Sequence, residues 1–485
     1  MSFEKQVLLI SPSLVDNYYG YNWESVEIPT PPLGLLYIAT YLIKGGYQVT
    51  FVDLSVDHLT EVQYFDLLKK ADFTLITCLT NALHNIHRII DDIKSVNNKC
   101  HIVCGGPHCN ETGQHIQGSD LTVYGEAELV LVNIMQRLSS GRSLENSPGI
   151  SYVKNGQLFR NEGHNINNNL DLIDPPSLGL TIEKNYNFAY GIKIGRILSI
   201  ITTRGCPFHC SFCTYPTVKY RERSVDDVIR EIQSGIRKYK PKYLLINDDN
   251  FLLKRKRVER FADAVVRNKI KIKIILQGRA DLADVELFRK LRKAGVIVLM
   301  FGIESANQDV LNYYKKGTTV EKIEKIIRIA NRFGIITFSG FMIGAPIERD
   351  THFENNNSFL AKVPLDFMSV NILRFAFPSP LWWKAHQEGK ILKEELIVSA
   401  NEKLSNFSYE ELMSIRSEML KSFYSRPGRM LRIAYKVLIN FGILLSYRVV
   451  QLTFRRSLAR TLEDFYGNKI QRMRKSYNSK QVSYC

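Results

Sequence analysis

Three cysteines lie within eight residues of one another in the run GCPFHCSFC, at Cys206, Cys210 and Cys213. Cysteine thiolates are the usual ligands of iron–sulfur clusters, and a cubane cluster normally takes four of them. Three thiolates at this spacing could therefore hold three irons and leave the fourth open to a non-protein ligand. The alternatives are buried structural cysteines or a zinc knuckle, but zinc sites prefer two C-x2-C pairs, and no second pair follows here.

The composition of the 485-residue chain sets the class of protein. This length is enough for about three domains. Its eight cysteines include only one tight group, which argues against the disulfide scaffold of a small secreted protein. The first residues, MSFEKQVLLISPS, lack the pattern of a signal peptide and predict a first strand. We therefore expect a reducing, cytoplasmic location.

Residues 1–140 alternate short apolar runs with helical stretches, which predicts an α/β fold with a doubly wound parallel sheet. The predicted strands are Val7–Ile10, Tyr47–Val52, Phe73–Cys78, His101–Cys104 and Leu121–Tyr124, and the predicted helices are Leu33–Ile43, Leu83–Ile93 and Ala127–Leu138. Such sheets bind ligands at the carboxyl ends of their strands. Glycines follow two of these strand ends, at Gly105-Gly106 and Gly125, where they would let a large flat ligand approach the backbone.

Residues 141–195 are polar, and we interpret them as a linker with one hairpin around Ile150–Phe159. Residues 196–390 contain six further strand-like runs with helices between them, which predicts an incomplete six-unit (β/α) barrel of the TIM type. The runs are Ile197–Thr203, Tyr243–Asn247, Ile272–Leu276, Val296–Phe301, Thr337–Ile343 and Phe367–Leu373. Barrel chemistry occurs at the carboxyl ends of the strands, and the cysteine run follows the first strand directly.

Residues 391–485 are predicted to form a basic, helical C-terminal region. From Lys421 to Cys485 there are 14 Lys or Arg residues against Glu463 and Asp464, while the whole chain carries a net charge of +17. This charge fits an anionic membrane surface, a nucleic acid or a solvated basic face. The apolar run between Lys436 and Arg448 is too short to span a bilayer, so we expect it to pack on the barrel or to lie on a membrane surface.

Two sets of motifs resemble a known family. The pattern C-x3-C-x-aromatic-C, with Phe212 as the aromatic residue, resembles the signature of radical S-adenosylmethionine enzymes. The segments PPLGLLYIATYL, CGGPH and YGEAE, in this order, resemble the cobalamin-binding domain that precedes many radical domains of this kind. Together they indicate a cobalamin-binding radical enzyme similar to the class B radical methyltransferases.

The resemblance implies three cofactors and their binding residues. Cys206, Cys210 and Cys213 would hold a [4Fe–4S] cluster whose open iron binds S-adenosylmethionine. The residues implied for S-adenosylmethionine are Phe212, Asp249, Arg279, Glu304 and Ser305, and those implied for cobalamin are Thr77, Gly105, Gly106, His108, Gly125 and Glu126. The chain departs from other cobalamin proteins because it has no D-x-H-x-x-G motif. We therefore interpret His108 as a hydrogen-bonding loop residue and not as a cobalt ligand.

The resemblance also implies a reaction. Reductive cleavage of S-adenosylmethionine would give a 5′-deoxyadenosyl radical that takes hydrogen from an unactivated carbon of a small molecule or natural product. Methylcobalamin would then methylate that carbon, and a second S-adenosylmethionine would restore the methyl group. Flavodoxin or ferredoxin would supply the electron. Oxidative cyclisation or ring rearrangement with the same cofactors is the alternative.

A second group of cysteines leaves another alternative open. Cys100, Cys104 and Cys109 form C-x3-C-x4-C, and radical methylthiotransferases carry a second cluster in their N-terminal domain. Such an enzyme would act on RNA through a C-terminal RNA-binding barrel, whereas the tail here is predicted to be helical. We therefore expect no nucleic-acid partner. A cobalamin sensor without catalysis would not need the GCPFHCSFC run.

Overall fold

The protein was analysed as a computed structural model, which describes residues 5–13, 30–184, 186–189, 192–214 and 219–458. The described residues belong to two compact units. The first unit is drawn from Met1–Cys206, Thr217–Asp249 and Arg267–Ile272, and the second from Pro207–Pro216, Asn250–Val266 and Lys273–Cys485. The loop that carries the three clustered cysteines therefore passes from one unit into the other.

The first unit begins with alternating strands and helices, as the sequence predicts. These elements are β1 (Gln6–Ser11), α1 (Leu33–Lys44), β2 (Gln48–Asp53), α2 (Glu61–Lys70), β3 (Phe73–Thr77), α3 (Leu83–Val96), β4 (His101–Gly105), α4 (Pro107–Thr112), β5 (Leu121–Val123), α5 (Leu131–Ser139), β6 (Ile150–Lys154) and β7 (Gln157–Asn161). These seven strands form one sheet in the order β2-β1-β3-β4-β5-β6-β7. Strands β1 to β5 pair in parallel, which confirms the doubly wound sheet.

The central strands of this sheet are continuous apolar runs in the sequence because both faces of the sheet are buried in the core there. Strand β1 buries Val7 to Ser11 without alternation, because the helices of a doubly wound fold cover both faces of the sheet. Helix α3 contributes Ile86, Ile90 and Ile93 at helical spacing to the same core. Helix α2 was not predicted, because its only buried side chains are Tyr64 and Leu68.

The hairpin predicted in the linker is present, but it is part of the first sheet. Strand β6 pairs antiparallel with β5, with Val123 opposite Ile150, and β7 then pairs antiparallel with β6. An unpaired β5 would expose a row of backbone donors and acceptors, which the hairpin satisfies. The hairpin therefore extends the sheet that carries the predicted cobalamin loops.

The remaining elements begin with short strands that lead into the second sheet. In the first unit they are β8 (Phe188–Ala189), β9 (Ile192–Lys193), β10 (Ile197–Ile200), β11 (Thr203–Arg204), β12 (Arg221–Glu222), α6 (Val225–Tyr239) and β13 (Tyr243–Ile246). Strands β10 and β13 pair in parallel, with Ile197 opposite Tyr243. Helix α6 is capped by Ser224, whose hydroxyl accepts a hydrogen bond from the backbone N–H of Asp227.

The second unit continues the β/α alternation. Its elements are α7 (Arg255–Arg267), β14 (Lys273–Gln277), α8 (Val285–Lys293), β15 (Val296–Glu304), α9 (Gln308–Tyr313), α10 (Val320–Arg332), β16 (Ile336–Ile343), α11 (Asp350–Lys362), β17 (Phe367–Ile372), β18 (Arg374–Ala376), α12 (Pro380–Gln387) and β19 (Ile397–Ser399). Strands β14 to β17 pair in parallel with their neighbours. The strand order β10-β13-β14-β15-β16-β17 confirms the six predicted β/α strands in sequence order.

The C-terminal region is helical, as predicted, up to the end of the described residues. Its helices are α13 (Tyr409–Tyr424), α14 (Pro427–Phe441) and α15 (Ile443–Leu458). Within the described part of the chain, no helix combines the length and the apolar character needed to cross a membrane. The predicted frayed terminus, RMRKSYNSKQ, lies outside the described residues.

A buried carboxylate ties α14 to the sheet of the second unit. Asp366 is fully buried and accepts hydrogen bonds from the backbone N–H and hydroxyl of Thr337 on β16, at 2.9 and 3.1 Å. It also pairs with two cations of α14, at 3.0 Å from Arg432 and 2.8 Å from Lys436. Because Lys436 is itself buried, the removal of this carboxylate would leave a cation without its counter-charge in the interior.

We expect Asp366→Asn to lower the free energy of unfolding of the second unit by about 3 kcal/mol, the cost of breaking a buried pair. Asp263→Asn is the matched control, because its ion pair with Lys290 lies at the surface and contributes little. Urea unfolding followed by intrinsic fluorescence measures both variants. Equal effects of the two substitutions would contradict the anchoring role of Asp366.

Candidate active site

The three clustered cysteines lie on the loop between β11 and β12. Cys206 and Cys213 are half-buried, Cys210 is mostly buried, and none of them takes part in a disulfide bond. A turn in which the Cys213 N–H donates to the Cys210 carbonyl at 3.0 Å brings the last two close together. In the second unit, the backbone of Ser211 donates to Tyr314 at 2.9 Å and accepts from Leu381 at 2.9 Å, which fixes the middle of the loop.

The donor set on this loop fits a cubane cluster. In the described part of the chain, no three His, Cys, Asp or Glu side chains are grouped so that they could hold one metal ion. A cubane cluster needs a different arrangement of ligands, because each of its thiolates binds a separate iron and the thiolates do not converge on one ion. Three reduced cysteines on one partly exposed loop provide the soft ligands that such a cluster takes.

Two arginines and Glu126 close the base of the cysteine loop within the first unit. Strands β11 and β12 place Arg204 directly opposite Arg221, and like charges in that position repel. The Glu126 carboxylate offsets this repulsion, because it accepts from Arg221 at 2.7 and 2.9 Å and pairs with Arg204 at 3.1 Å. Glu128 pairs with Arg204 at 2.6 Å. The cysteine loop and the YGEAE segment of the first sheet are therefore joined by one ion-pair cluster, which we call the Glu126 clamp.

The charge state of Glu126 follows from this clamp. Burial alone would raise the pKa of its carboxyl, but the guanidinium groups of Arg221 and Arg204 hold that pKa below its ordinary value. The backbone N–H of Asn167 donates to the same carboxylate at 2.8 Å. The family resemblance implies that Glu126 binds cobalamin, but both of its carboxylate oxygens already interact with protein groups.

We expect Glu126→Gln to lower the free energy of unfolding of the first unit by about 3 kcal/mol, because the buried Arg221 loses its carboxylate partner and Arg204 keeps only Glu128. The iron bound per chain after anaerobic reconstitution should fall as well, since the base of the cysteine loop is no longer neutralised.

Glu162→Gln is the matched control, because Glu162 is exposed and directly follows β7 of the same sheet. Thermal unfolding and iron analysis measure both variants. A stability change within about 0.5 kcal/mol for Glu126→Gln would contradict the clamp.

Two aspartates follow β13 at the edge where β10 also ends. Asp248 is fully buried and accepts hydrogen bonds from the backbone N–H groups of Thr202 and Thr203, at 2.6 and 3.0 Å. Asp249 reaches solvent and accepts a hydrogen bond from the backbone of Gly205, next to Cys206. Partial desolvation and the adjacent Asp248 carboxylate raise the pKa of Asp249. Asp248 thus has a structural role, while Asp249 remains available to a ligand.

The second unit contains a pair of buried hydrogen-bond donors beside the loop. The Asn250 side-chain oxygen accepts from the backbone N–H of Arg279 at 3.0 Å, and the Arg279 guanidinium lies 4.0 Å from the centre of the Phe208 ring. The Asp281 carboxylate accepts hydrogen bonds from two of the guanidinium nitrogens, Nε and Nη2. The remaining Arg279 Nη1 and the Asn250 Nδ2 are buried with no hydrogen-bond partner among the described residues. Buried donors of this kind fit a ligand that brings its own acceptors. The sequence analysis did not single out Asn250.

Lys316, which was not predicted from the sequence, lies close to both Glu304 and Phe212. Lys316 Nζ lies 2.7 Å from a Glu304 oxygen and 5.9 Å from the centre of the Phe212 ring. Glu304 has a left-handed backbone with φ of 68°, a strained conformation for a residue with a side chain. Phe212 packs edge-on against Tyr314, whose buried hydroxyl has no partner within the described part of the chain.

Ser305 has a supporting position next to Glu304. Its hydroxyl accepts hydrogen bonds from the backbone and side-chain N–H groups of Asn307, both at 3.2 Å, and it is fully buried. The same asparagine donates to Asn356 at 3.2 Å. The contacts of Ser305 are therefore those of a residue that shapes the loop after β15.

The loop after β16 carries an isolated buried carboxyl. Glu348 is fully buried and accepts hydrogen bonds from the backbone N–H groups of Gly344 and Ala345, at 2.6 and 2.8 Å. Burial raises the pKa of Glu348 to about 7, although these two hydrogen bonds and His352 favour its charged form. The folded protein therefore binds a proton at Glu348 that the unfolded chain has already released.

We expect stability to fall as the pH rises between about 4.5 and 7, and then to level off, because the folded state holds more protons than the unfolded state across this window. Glu348 accounts for about 3 kcal/mol of that change. Unfolding midpoints measured across this range should lose the slope in Glu348→Gln. Glu354→Gln, at an exposed position on α11, should keep it, and an unchanged slope in Glu348→Gln would contradict the assignment.

The residues predicted to bind cobalamin lie at the ends of three neighbouring strands of the first sheet. Thr77 ends β3 directly opposite Gly105, which ends β4. Gly106 has φ of 107°, and a Cβ on it would lie 2.8 Å from the Thr77 hydroxyl. A Cβ on Gly125 would lie 2.3 Å from the Asn165 carbonyl oxygen. Both glycines are thus required by the packing of the protein itself. The loops remain half-buried, so a ligand can reach their backbone.

His108 and the nearby cysteines are buried behind these loops. His108 shares a hydrogen bond of 3.1 Å with the Thr80 hydroxyl, and burial lowers the pKa of its imidazole. The thiols of Cys104 and Cys109 both hydrogen-bond that of Cys78. Cys100 lies apart from them, with its sulfur 3.3 Å from the Thr74 hydroxyl. Cys100, Cys104 and Cys109 are close in the sequence but therefore do not form one cluster in the structure.

Comparison with known proteins gives two family matches in the order expected from the motifs. Residues 23–135 match the B12 binding domain, and residues 200–360 match the Radical SAM superfamily. An uncharacterised methyltransferase of Pyrococcus horikoshii is 28% identical over 413 residues, which cover 82% of this chain and 88% of the relative. The anaerobic magnesium-protoporphyrin IX monomethyl ester cyclase of Rubrivivax gelatinosus is 29% identical over 71% of this chain. The match spans 63% of that cyclase, less than two thirds of its length.

The fold matches a solved structure as well. The cobalamin-dependent S-adenosylmethionine radical enzyme OxsB, with aqua-cobalamin bound, superimposes with a TM-score of 0.70 at 18% identity, over 96% of this chain and 75% of OxsB. At this identity the likeness concerns the fold alone. The two family matches show that the chain carries a B12 binding domain followed by a radical SAM domain that contains the cysteine loop, with a [4Fe–4S] cluster, S-adenosylmethionine and cobalamin as cofactors.

Proposed function

We propose that this enzyme methylates an unactivated carbon of a small-molecule or natural-product substrate. The observation that carries the proposal is the presence of both cofactor-binding domains in one chain, with Cys206, Cys210 and Cys213 on one loop within the Radical SAM match and not joined by disulfides. The relative from Pyrococcus horikoshii, similar over most of both chains, is described as a methyltransferase and supports this choice.

The residue roles form part of the proposal. Cys206, Cys210 and Cys213 hold the cluster, and the bound cofactors together supply a carbon-centred radical and a transferable methyl group. Arg279 Nη1 and Asn250 Nδ2 donate hydrogen bonds to S-adenosylmethionine, since both lack protein partners in the described residues. The remaining S-adenosylmethionine contacts are assigned to Phe212, Asp249 and Glu304, while Ser305 supports the loop that carries Glu304 through its hydrogen bonds with Asn307.

The cobalamin contacts are assigned to the strand ends of the first sheet. Thr77, Gly105, Gly106 and Gly125 present accessible backbone to the ring, while His108 supports the loop through Thr80. Glu126 acts through the clamp, because its two oxygens are already paired with arginines. We retain 1–140, 141–195, 196–390 and 391–485 as the functional divisions of the chain, with flavodoxin or ferredoxin as electron donor in the cytoplasm.

Oxidative cyclisation is the second candidate. It is favoured by the similarity to the magnesium-protoporphyrin cyclase, whose identity of 29% is close to that of the methyltransferase relative. The two reactions share the cofactors and differ in the fate of the methyl group of S-adenosylmethionine. Product analysis therefore distinguishes them.

The test uses the full chain, purified without oxygen, reconstituted with iron and sulfide and loaded with hydroxocobalamin. With S-adenosylmethionine and titanium(III) citrate, we expect both 5′-deoxyadenosine and S-adenosylhomocysteine, because cleavage and methyl transfer consume separate molecules. Cys213→Ala should form no 5′-deoxyadenosine, since it removes a cluster ligand. Liquid chromatography with mass spectrometry quantifies both products.

Cys100→Ala is the matched control, because Cys100 is a buried cysteine outside the motif. It should retain both products. 5′-deoxyadenosine without S-adenosylhomocysteine from a cobalamin-loaded enzyme would support the radical cleavage but contradict the expected methyl transfer under these conditions, and would leave methylation and cyclisation to be separated with a substrate. Cleavage that persists in Cys213→Ala would contradict the assignment of the cluster.

A further inference from the structure

Helix α14 places its charged side chains inward and its apolar side chains outward. The guanidinium of Arg429 is buried against the carbonyls of Phe423 and Leu360, and Lys436 is buried against Asp366 and the Ile335 carbonyl. On the opposite side, Leu431, Tyr435 and Ile439 recur every four residues and are exposed. This is the reverse of the usual surface helix, whose apolar stripe faces the core.

The exposed stripe continues onto α15. A single residue, Gly442, separates the two helices, and Ser446 of α15 donates a hydrogen bond to the Ala434 carbonyl of α14 at 2.8 Å. We define the α14–α15 apolar face as Leu431, Tyr435, Ile439, Ile443, Leu444 and Tyr447. Their exposed fractions range from 48% to 74%. Large apolar groups clustered in this way usually mark a surface that binds a partner.

We propose that the α14–α15 apolar face docks the enzyme on an anionic lipid bilayer. The sequence around it has the charge that such a surface selects, because residues 419–462 contain no Asp or Glu, and six of their nine Lys or Arg remain when the inward Arg429, Arg432 and Lys436 are set aside. Basic residues that flank an apolar helix face are attracted to anionic headgroups. Arg455, Arg456 and Arg460 follow the face directly in the sequence.

The composition and size of the face also match an interfacial contact. Two tyrosines accompany four aliphatic residues, and tyrosine is enriched where a protein meets the headgroup region. Neither α14 nor α15 is long and apolar enough to cross a membrane, so the hairpin would lie in the plane of the interface. This inference does not depend on the radical reaction.

The test is vesicle flotation of the full-length protein without S-adenosylmethionine or reductant. We expect it to bind vesicles of phosphatidylcholine with phosphatidylglycerol, and to bind pure phosphatidylcholine more weakly. The double variant Ile443→Glu/Leu444→Glu should bind the anionic vesicles at least about tenfold more weakly, because it places charge in the apolar contact. The single variant Tyr435→Glu should weaken binding in the same direction.

Val62→Glu/Leu158→Glu is the matched control, because both residues are exposed and apolar but lie in the first unit. It should bind like the parent protein. Failure of the parent protein to bind anionic vesicles, or equal weakening in the control, would overturn the proposal. A different pattern would also overturn it: the parent protein is a dimer by light scattering and does not bind vesicles, while Ile443→Glu/Leu444→Glu is a monomer. In that case the face would join two copies of the chain. Because no turnover is measured, these outcomes are separate from those for the proposed reaction.

Discussion

Electrostatic repulsion between two arginines constrains the centre of this enzyme. Arg204 and Arg221 face each other across the strand pair that opens and closes the cysteine loop. Neither is well exposed, so solvent cannot screen their charges. Glu126 and Glu128, which follow β5 in the cobalamin-binding part of the first unit, provide the counter-charges. The base of the cysteine loop is therefore charge-balanced only when the first sheet supplies these two carboxylates.

Local patterns were sufficient to predict most of the fold. The strands of both sheets could be located because buried parallel strands are short apolar runs, and the helices between them because their apolar residues recur at helical spacing. The cysteine loop was recognisable for the same reason, since its three cysteines are close in the sequence. Helix α2 escaped because it buries only Tyr64 and Leu68, too few residues to form a periodic pattern.

Long-range contacts could not be predicted in this way. Glu126 was expected beside cobalamin, and its pairing with Arg221, 95 residues further along the chain, has no local signal. Asn250 and Lys316 were missed because their importance lies in what they contact or fail to contact, not in their spacing. All the interpretations of the basic C-terminal charge placed it at the surface, whereas Arg429 is buried against carbonyl oxygens and Lys436 is buried beside Asp366.

The Glu126 clamp has a consequence for how this protein can be divided. A fragment that ended between Asn161 and Arg204 would contain the complete first sheet, yet it would leave Glu126 and Glu128 facing water without Arg204 and Arg221. Conversely, a barrel expressed alone would begin with two opposed arginines at the entrance to its cluster loop. The boundary visible as a polar stretch in the sequence is thus not a boundary between independently portable modules. Exchange of the cobalamin-binding part between relatives would need the acidic pair and the arginine pair to be transferred together.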